Sequence, residues 1–232
     1  MRIESGKCPL VQDDLRWGAF DPTTGRVNRL QRETFLETAT RVLWTPADYF
    51  READLAEVFP RPAPLDLDLG CGDGSYLLAL ARRFPERNFL GTERMIGRVE
   101  KVCRKVARGG LENVRILRLE SHYVVKHLLP AASVAAVYLM HPDPWPKRAH
   151  HPRRLVQGEF MASLHRVLVP GGELFAQTDD LPYFQWMEKV WSQCPQFERL
   201  PWEKPDDWPQ TDFERDYREK GLPIYCARLR KA

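Results

Sequence analysis

From residue 65 onward, short apolar runs alternate with segments in which apolar residues recur every three or four positions. The runs at 65–69, 88–91, 114–119, 134–139 and 173–177 predict strands, the last entered from a turn at Gly171-Gly172. The 3.6-residue pattern predicts helices over 76–84, 96–106, 155–168 and 183–194. Such alternation specifies an α/β fold, a Rossmann-like, doubly wound and mostly parallel sheet with helices on both faces. After residue 197 a Pro/Trp/Asp-rich stretch precedes an apolar run at 222–229, which predicts a last hairpin. Upstream, Leu30, Phe35, Leu36, Ala39, Val42 and Leu43 mark one helix face, and residues 1–28 lack periodicity and read as a loosely docked arm. The expected organisation is an N-terminal arm and helix over 1–60, then the α/β domain over 61–232.

Composition narrows the class. At 43% hydrophobic and 29% charged residues, the 232-residue chain has enough apolar material for a full core and no run long enough to span a membrane. Glu4, Lys7, Asp13 and Asp14 stand where a signal peptide needs an apolar segment, so a cytoplasmic protein is expected, without a membrane partner. Cys8, Cys71, Cys103, Cys194 and Cys226 are scattered, with no Cys-x-x-Cys pair, which argues against structural zinc, a disulfide scaffold or any bound metal. A net charge of +3 decides nothing about nucleic acid; the placement of the cations does.

Two loci carry chemistry. In the first, Gly70, Gly72 and Gly74 follow the first strand directly, so backbone without Cβ atoms can turn sharply against a ligand. Glu93, at the next strand end, stands where this fold presents an acceptor to ribose hydroxyls. Both S-adenosylmethionine and NAD enzymes use that arrangement. The Gly-x-Gly-x-Gly spacing differs from the dinucleotide pattern, and Asp68 inside the turn opposes a pyrophosphate but accepts from an ammonium. Glu120, just past the third strand, is placed to take the adenine amine. These features favour S-adenosylmethionine.

In the second locus, a strand over 133–139 leads into Met140-His141-Pro142-Asp143-Pro144-Trp145-Pro146-Lys147-Arg148. Three prolines stiffen the turn, so that Asp143 and Trp145 are held at a cleft. Lys147, Arg148, Arg153 and Arg154, with His150 and His151 between them, form a cationic loop. A carboxylate, a flat ring and a polycation suit a nucleobase attached to phosphates. Trp145 reads equally as a base-stacking platform or as a plug in the core beneath the loop. The adjacent histidines do not make a metal site, because consecutive residues rarely point at one ion.

The segment from Leu65 to Glu214 resembles the bacterial tRNA (guanine-N7-)-methyltransferases, a class I methyltransferase family. The resemblance rests on residues 68–74, Gly91-Thr92-Glu93, residues 142–148 and 150–155, Thr178-Asp179, and Thr211-Asp212-Phe213-Glu214. It implies methyl transfer from S-adenosylmethionine to N7 of a guanosine in the tRNA variable loop, by a monomer or homodimer. It further implies that Asp68, Gly70, Gly72, Gly74, Glu93, Glu120 and Asp143 hold the cofactor, with Asp143 also catalytic. Lys147, Asp179, Thr211 and Glu214 would contact the nucleoside, and Arg148, His150, His151, Arg153 and Arg154 the tRNA. The chain departs from the family in carrying Asp68 for a frequent Glu, Glu120 for Asp or Asn, Ala149 for a basic residue, and His141 before Pro142. Alternatives are methylation of another RNA base or of a small molecule, a non-catalytic RNA-binding relic of the fold, and a dehydrogenase.

Overall fold

The structure, a computed structural model, describes residues 40–202, 205 and 207–232. The arm expected over 1–28 and most of the helix expected over 30–43 lie outside those residues; residues 40–42 are helical. Among the described residues seven strands form one sheet: β1 (Leu65–Leu69), β2 (Asn88–Thr92), β3 (Val114–Leu117), β4 (Val134–Met140), β5 (Leu168–Thr178), β6 (Phe197–Leu200) and β7 (Tyr225–Lys231). Their order is β3-β2-β1-β4-β5-β7-β6, parallel throughout except that β7 runs antiparallel to both neighbours. The terminal hairpin expected over 222–229 is instead β7 inserted between β5 and β6.

Helices cover both faces: α1 (Leu55–Val58), α2 (Ser75–Arg83), α3 (Ile96–Arg108), α4 (Ser121–Tyr123, continued by a π turn over Val124–Leu128), α5 (Gly158–Val167), α6 (Leu181–Trp191) and α7 (Asp212–Glu219). Alternate residues of a strand point to opposite faces, and the two halves of the core follow. Val137 and Leu139 pack with Leu128, Phe160, Leu164 and Met187 on one face. Ala136 and Tyr138 pack with Leu77, Val102 and Val106 on the other. Helix α3 shows the pattern clearly: Val99, Val102, Cys103 and Val106 are buried, while its cations face outward. Residues before the sheet also dock on it, for Trp44 N donates to the Ile116 carbonyl at 2.8 Å and Val42 is buried.

Helix α5 begins at Gly158, three residues later than its apolar pattern suggests. Tyr183 Oη accepts from Val156 N at 3.3 Å, and Val156 O accepts from Trp186 Nε1 at 2.9 Å, which holds Val156 outside the helix. The reversal of strand order falls between β1 and β4, the position at which open α/β sheets bind ligands beyond their carboxyl ends.

Candidate active site

The glycine turn leaves β1 with Gly70, Gly72 and Gly74 all left-handed, at φ 76°, 57° and 76°. Gly74 begins α2 and also permits close packing, since a Cβ there would lie 2.5 Å from Val102 Cγ1. A Cβ on Gly70 would meet nothing within 4 Å, so the turn faces open space. Thr92 stitches this turn to β2: its Oγ1 accepts from Gly70 N at 3.1 Å and pairs with Ser121 Oγ at 2.9 Å. The functional part of Thr92 was hidden in the sequence, because a threonine in a strand needs no further explanation there.

Asp68 is 3% exposed, and none of the described residues hydrogen bonds or ion pairs with its carboxylate. Burial alone pushes its pKa to about 7. A buried acceptor facing a glycine turn lacks only a cation, and the ammonium of S-adenosylmethionine fits that need. Glu93 is also buried, with Oε1 accepting from Arg94 N and Met95 N at 2.6 and 2.8 Å and Oε2 3.6 Å from Arg98. Glu120 caps α4, accepting from His122 N and Tyr123 N at 2.9 and 2.7 Å. Both carboxylates are thereby rigidly oriented, and a carboxylate with two bonds retains acceptor capacity for a ligand.

On β4 and β5 the chemistry lies past the strand ends. Asp143 and Lys147 are exposed on the proline-stiffened loop, and Asp179 follows β5, a quarter exposed. Residues 148–153 form one 3₁₀ segment with Arg148 and Arg153 exposed. Trp145 (φ 44°) lies outside both core clusters; the Arg153 guanidinium sits 5.1 Å above its ring and His150 meets it edge-on at 5.7 Å. His151 is half-buried against Trp186. Among the described residues no group of three His, Cys, Asp or Glu is placed to hold a metal ion.

Two sequence expectations are corrected. Arg154 is only 4% exposed: its Nε donates to the Pro144 carbonyl at 2.9 Å, and its guanidinium lies 5.0 and 5.6 Å from the Tyr183 and Trp186 rings. It braces the loop from beneath instead of facing RNA. Glu214 is fully buried and ion-paired with Arg218 at 2.9 Å, so in this conformation it is closed to a nucleoside. Thr211 uses its hydroxyl to cap α7, accepting from Glu214 N at 2.9 Å. The helix so fixed carries Phe213, 43% exposed, with its ring 4.7 Å from that of His141.

Glycine turn, acidic strand ends and sheet order together define a class I methyltransferase. A family described as "Putative methyltransferase" matches residues 62–227. Curated tRNA (guanine-N(7)-)-methyltransferases are similar over most of their length. That of Syntrophotalea carbinolica is 37% identical over 77% of this chain and 79% of its own. That of Leifsonia xyli is 39% identical over 74% and 78%. The chain belongs to the tRNA (guanine-N(7)-)-methyltransferase family. Among solved structures, the 16S rRNA methyltransferase KamB shares the fold at a TM-score of 0.60 and 17% identity, covering 83% of this chain and 99% of that one.

Proposed function

We propose that this protein methylates N7 of a guanosine in the tRNA variable loop, using S-adenosylmethionine. The observation that carries the reading is a buried carboxylate, Asp68, with no hydrogen-bond or ion-pair partner among the described residues, on the strand beside the one that launches the Asp143 loop. When bound, S-adenosylmethionine supplies an electrophilic methyl group on a sulfonium sulfur. Asp68 takes the ammonium, Glu93 the ribose hydroxyls, and Glu120 the adenine edge.

Guanine N7 carries a lone pair and no proton, so the site needs no general base. Alignment is the main task, and it contributes up to roughly 7–11 kcal/mol in well-oriented reactions. Asp143 accepts from the N–H edge of the guanine and stabilises the positive charge that the purine acquires. Asp179 shares that role from the next strand, and Lys147 holds the nucleotide. Arg148, Arg153 and the exposed part of His150 meet tRNA phosphates, drawing the base out of its tertiary contacts toward the sheet ends.

The test is incubation with methyl-labelled S-adenosylmethionine and bulk tRNA, followed by borohydride reduction and aniline cleavage. Label in 7-methylguanosine with scission at the variable loop is expected. Label in another nucleoside, or none in RNA, would refute the reading.

A further inference from the structure

We infer that His141 is a positioning residue that orients the Asp179 carboxylate toward the guanine, through a hydrogen-bond relay running back to Cys226. The inference deepens the proposed function and rests on it for the identity of the bound base.

His141 stands just past β4 with φ 51°, in a left-handed conformation that costs a non-glycine residue free energy unless its surroundings hold it. They do. Its N–H donates to the Gln177 carbonyl at 2.7 Å, and its imidazole is enclosed at 11% exposure. Gln177, fully buried in β5, lies opposite Cys226 in the β5–β7 register.

The donors and acceptors can be ordered. Cys226 Sγ donates to Gln177 Oε1 at 3.6 Å, which turns the amide nitrogen of Gln177 toward His141 Nε2, 2.9 Å away. An amide nitrogen only donates, so Nε2 accepts and the ring proton sits on Nδ1. Nδ1 lies 3.1 Å from Asp179 Oδ1 and donates to it. Orientation of the amide and the ring thus follows from the mutual consistency of these three hydrogen bonds. A second residue faces Asp179 from α7: Tyr217, whose pKa is raised chiefly by the charge of Asp179. Phe213 closes the group, its ring 4.7 Å from His141 and 4.4 Å from Tyr217.

Asp179 is therefore clamped by the His141 imidazole and flanked by α7, while a quarter of its side chain stays open. His141 takes one of its roughly four acceptor sites, which leaves capacity for a substrate N–H. Such clamping matters because a displacement near 1 Å at a reacting group can cost on the order of 100-fold in rate.

The experiment compares His141→Gln with His141→Asn. Asn places a side-chain N–H where Nδ1 stands and tolerates left-handed backbone, whereas Gln keeps only the position of Nε2. His141→Gln is expected to lose roughly 10–100-fold in kcat/KM for tRNA, and His141→Asn to stay within about 3-fold of the parent. S-adenosylhomocysteine affinity should be unchanged in both. Combining His141→Gln with Asp179→Asn should be no worse than Asp179→Asn alone, since both act through one carboxylate. Equal losses for Gln and Asn, or multiplying losses in the double variant, would overturn the inference. Nitrogen-15 NMR of the histidines reads the relay without turnover: protonation on Nδ1 is expected, and protonation on Nε2 would sink it. A parent with the Nδ1 tautomer but no methylation of tRNA would sink the proposed function instead.

Discussion

Replacing Asp68 with Asn removes a buried carboxylate that has no hydrogen-bond or ion-pair partner among the described residues. Burial raises the Asp68 pKa from 3.8 to about 7. Its folded-state value lies above the unfolded one, so its contribution to stability is whole below 3.8 and is lost as pH rises through about 7. At about 1.4 kcal/mol per pH unit, the loss saturates near 4 kcal/mol, of which roughly 2–3 kcal/mol falls between pH 5 and pH 8. Asn does not titrate. Its own unpaired N–H groups cost a fixed 1–3 kcal/mol or so at every pH. The variant's thermal midpoint relative to the parent should therefore climb by about 5–10 °C from pH 5 to pH 8, at 2–4 °C per kcal/mol for a chain of this size. Thermal unfolding without ligand, followed by circular dichroism, measures it. S-adenosylhomocysteine should then raise the midpoint of the parent but scarcely that of Asp68→Asn. A difference that stays flat with pH would refute the assignment of Asp68 as an unpartnered buried carboxylate.

Asp143→Ala should lower kcat roughly 100–1000-fold in the tRNA methylation assay. By calorimetry it should weaken S-adenosylhomocysteine binding less than Glu93→Ala does. Arg148→Ala and Arg153→Ala should each flatten the dependence of log affinity for tRNA on log salt by roughly 0.9, read by filter binding. Arg154→Ala should leave that slope alone and lower the thermal midpoint, because its guanidinium holds Pro144 and two aromatic rings. Gly74→Ala should destabilise by about 2–4 kcal/mol in urea unfolding, from left-handed strain plus the contact with Val102, and Val102→Ala should recover the contact part.

Much of the sheet is legible in the chain because its buried strands are short apolar segments, unbroken in β4 and alternating with Asp66 and Asp68 in β1. The glycine turn and the acidic strand ends are legible for the same reason: they interrupt those runs. Helix α7 is not. Its buried residue is Glu214 and its aromatics are the single pair Phe213 and Tyr217, too short an apolar stripe to read as a helix. The signal available was the capping pattern Thr211-x-x-Glu214, a hydroxyl three residues before a glutamate. Helix α4 escapes because Leu128 closes a π turn after only one α turn, too short for a period. Nor does composition separate Arg153 from Arg154. One step along the 3₁₀ segment turns a guanidinium from solvent to the aromatic floor, and that depends on Tyr183 and Trp186 from a helix thirty residues on.

The separation of those two arginines bears on how RNA can approach. Glu93 and Asp179 place carboxylates at their strand ends, which repel a phosphate backbone and attract an ammonium or a purine N–H edge. The exposed Lys147, Arg148 and Arg153 share the loop past β4 with Asp143, and Arg154 braces that loop from its buried side. Under the proposed function, phosphates are favoured at these three exposed cations and the base edge at Asp143 and Asp179, so that electrostatics helps to sort the parts of the substrate.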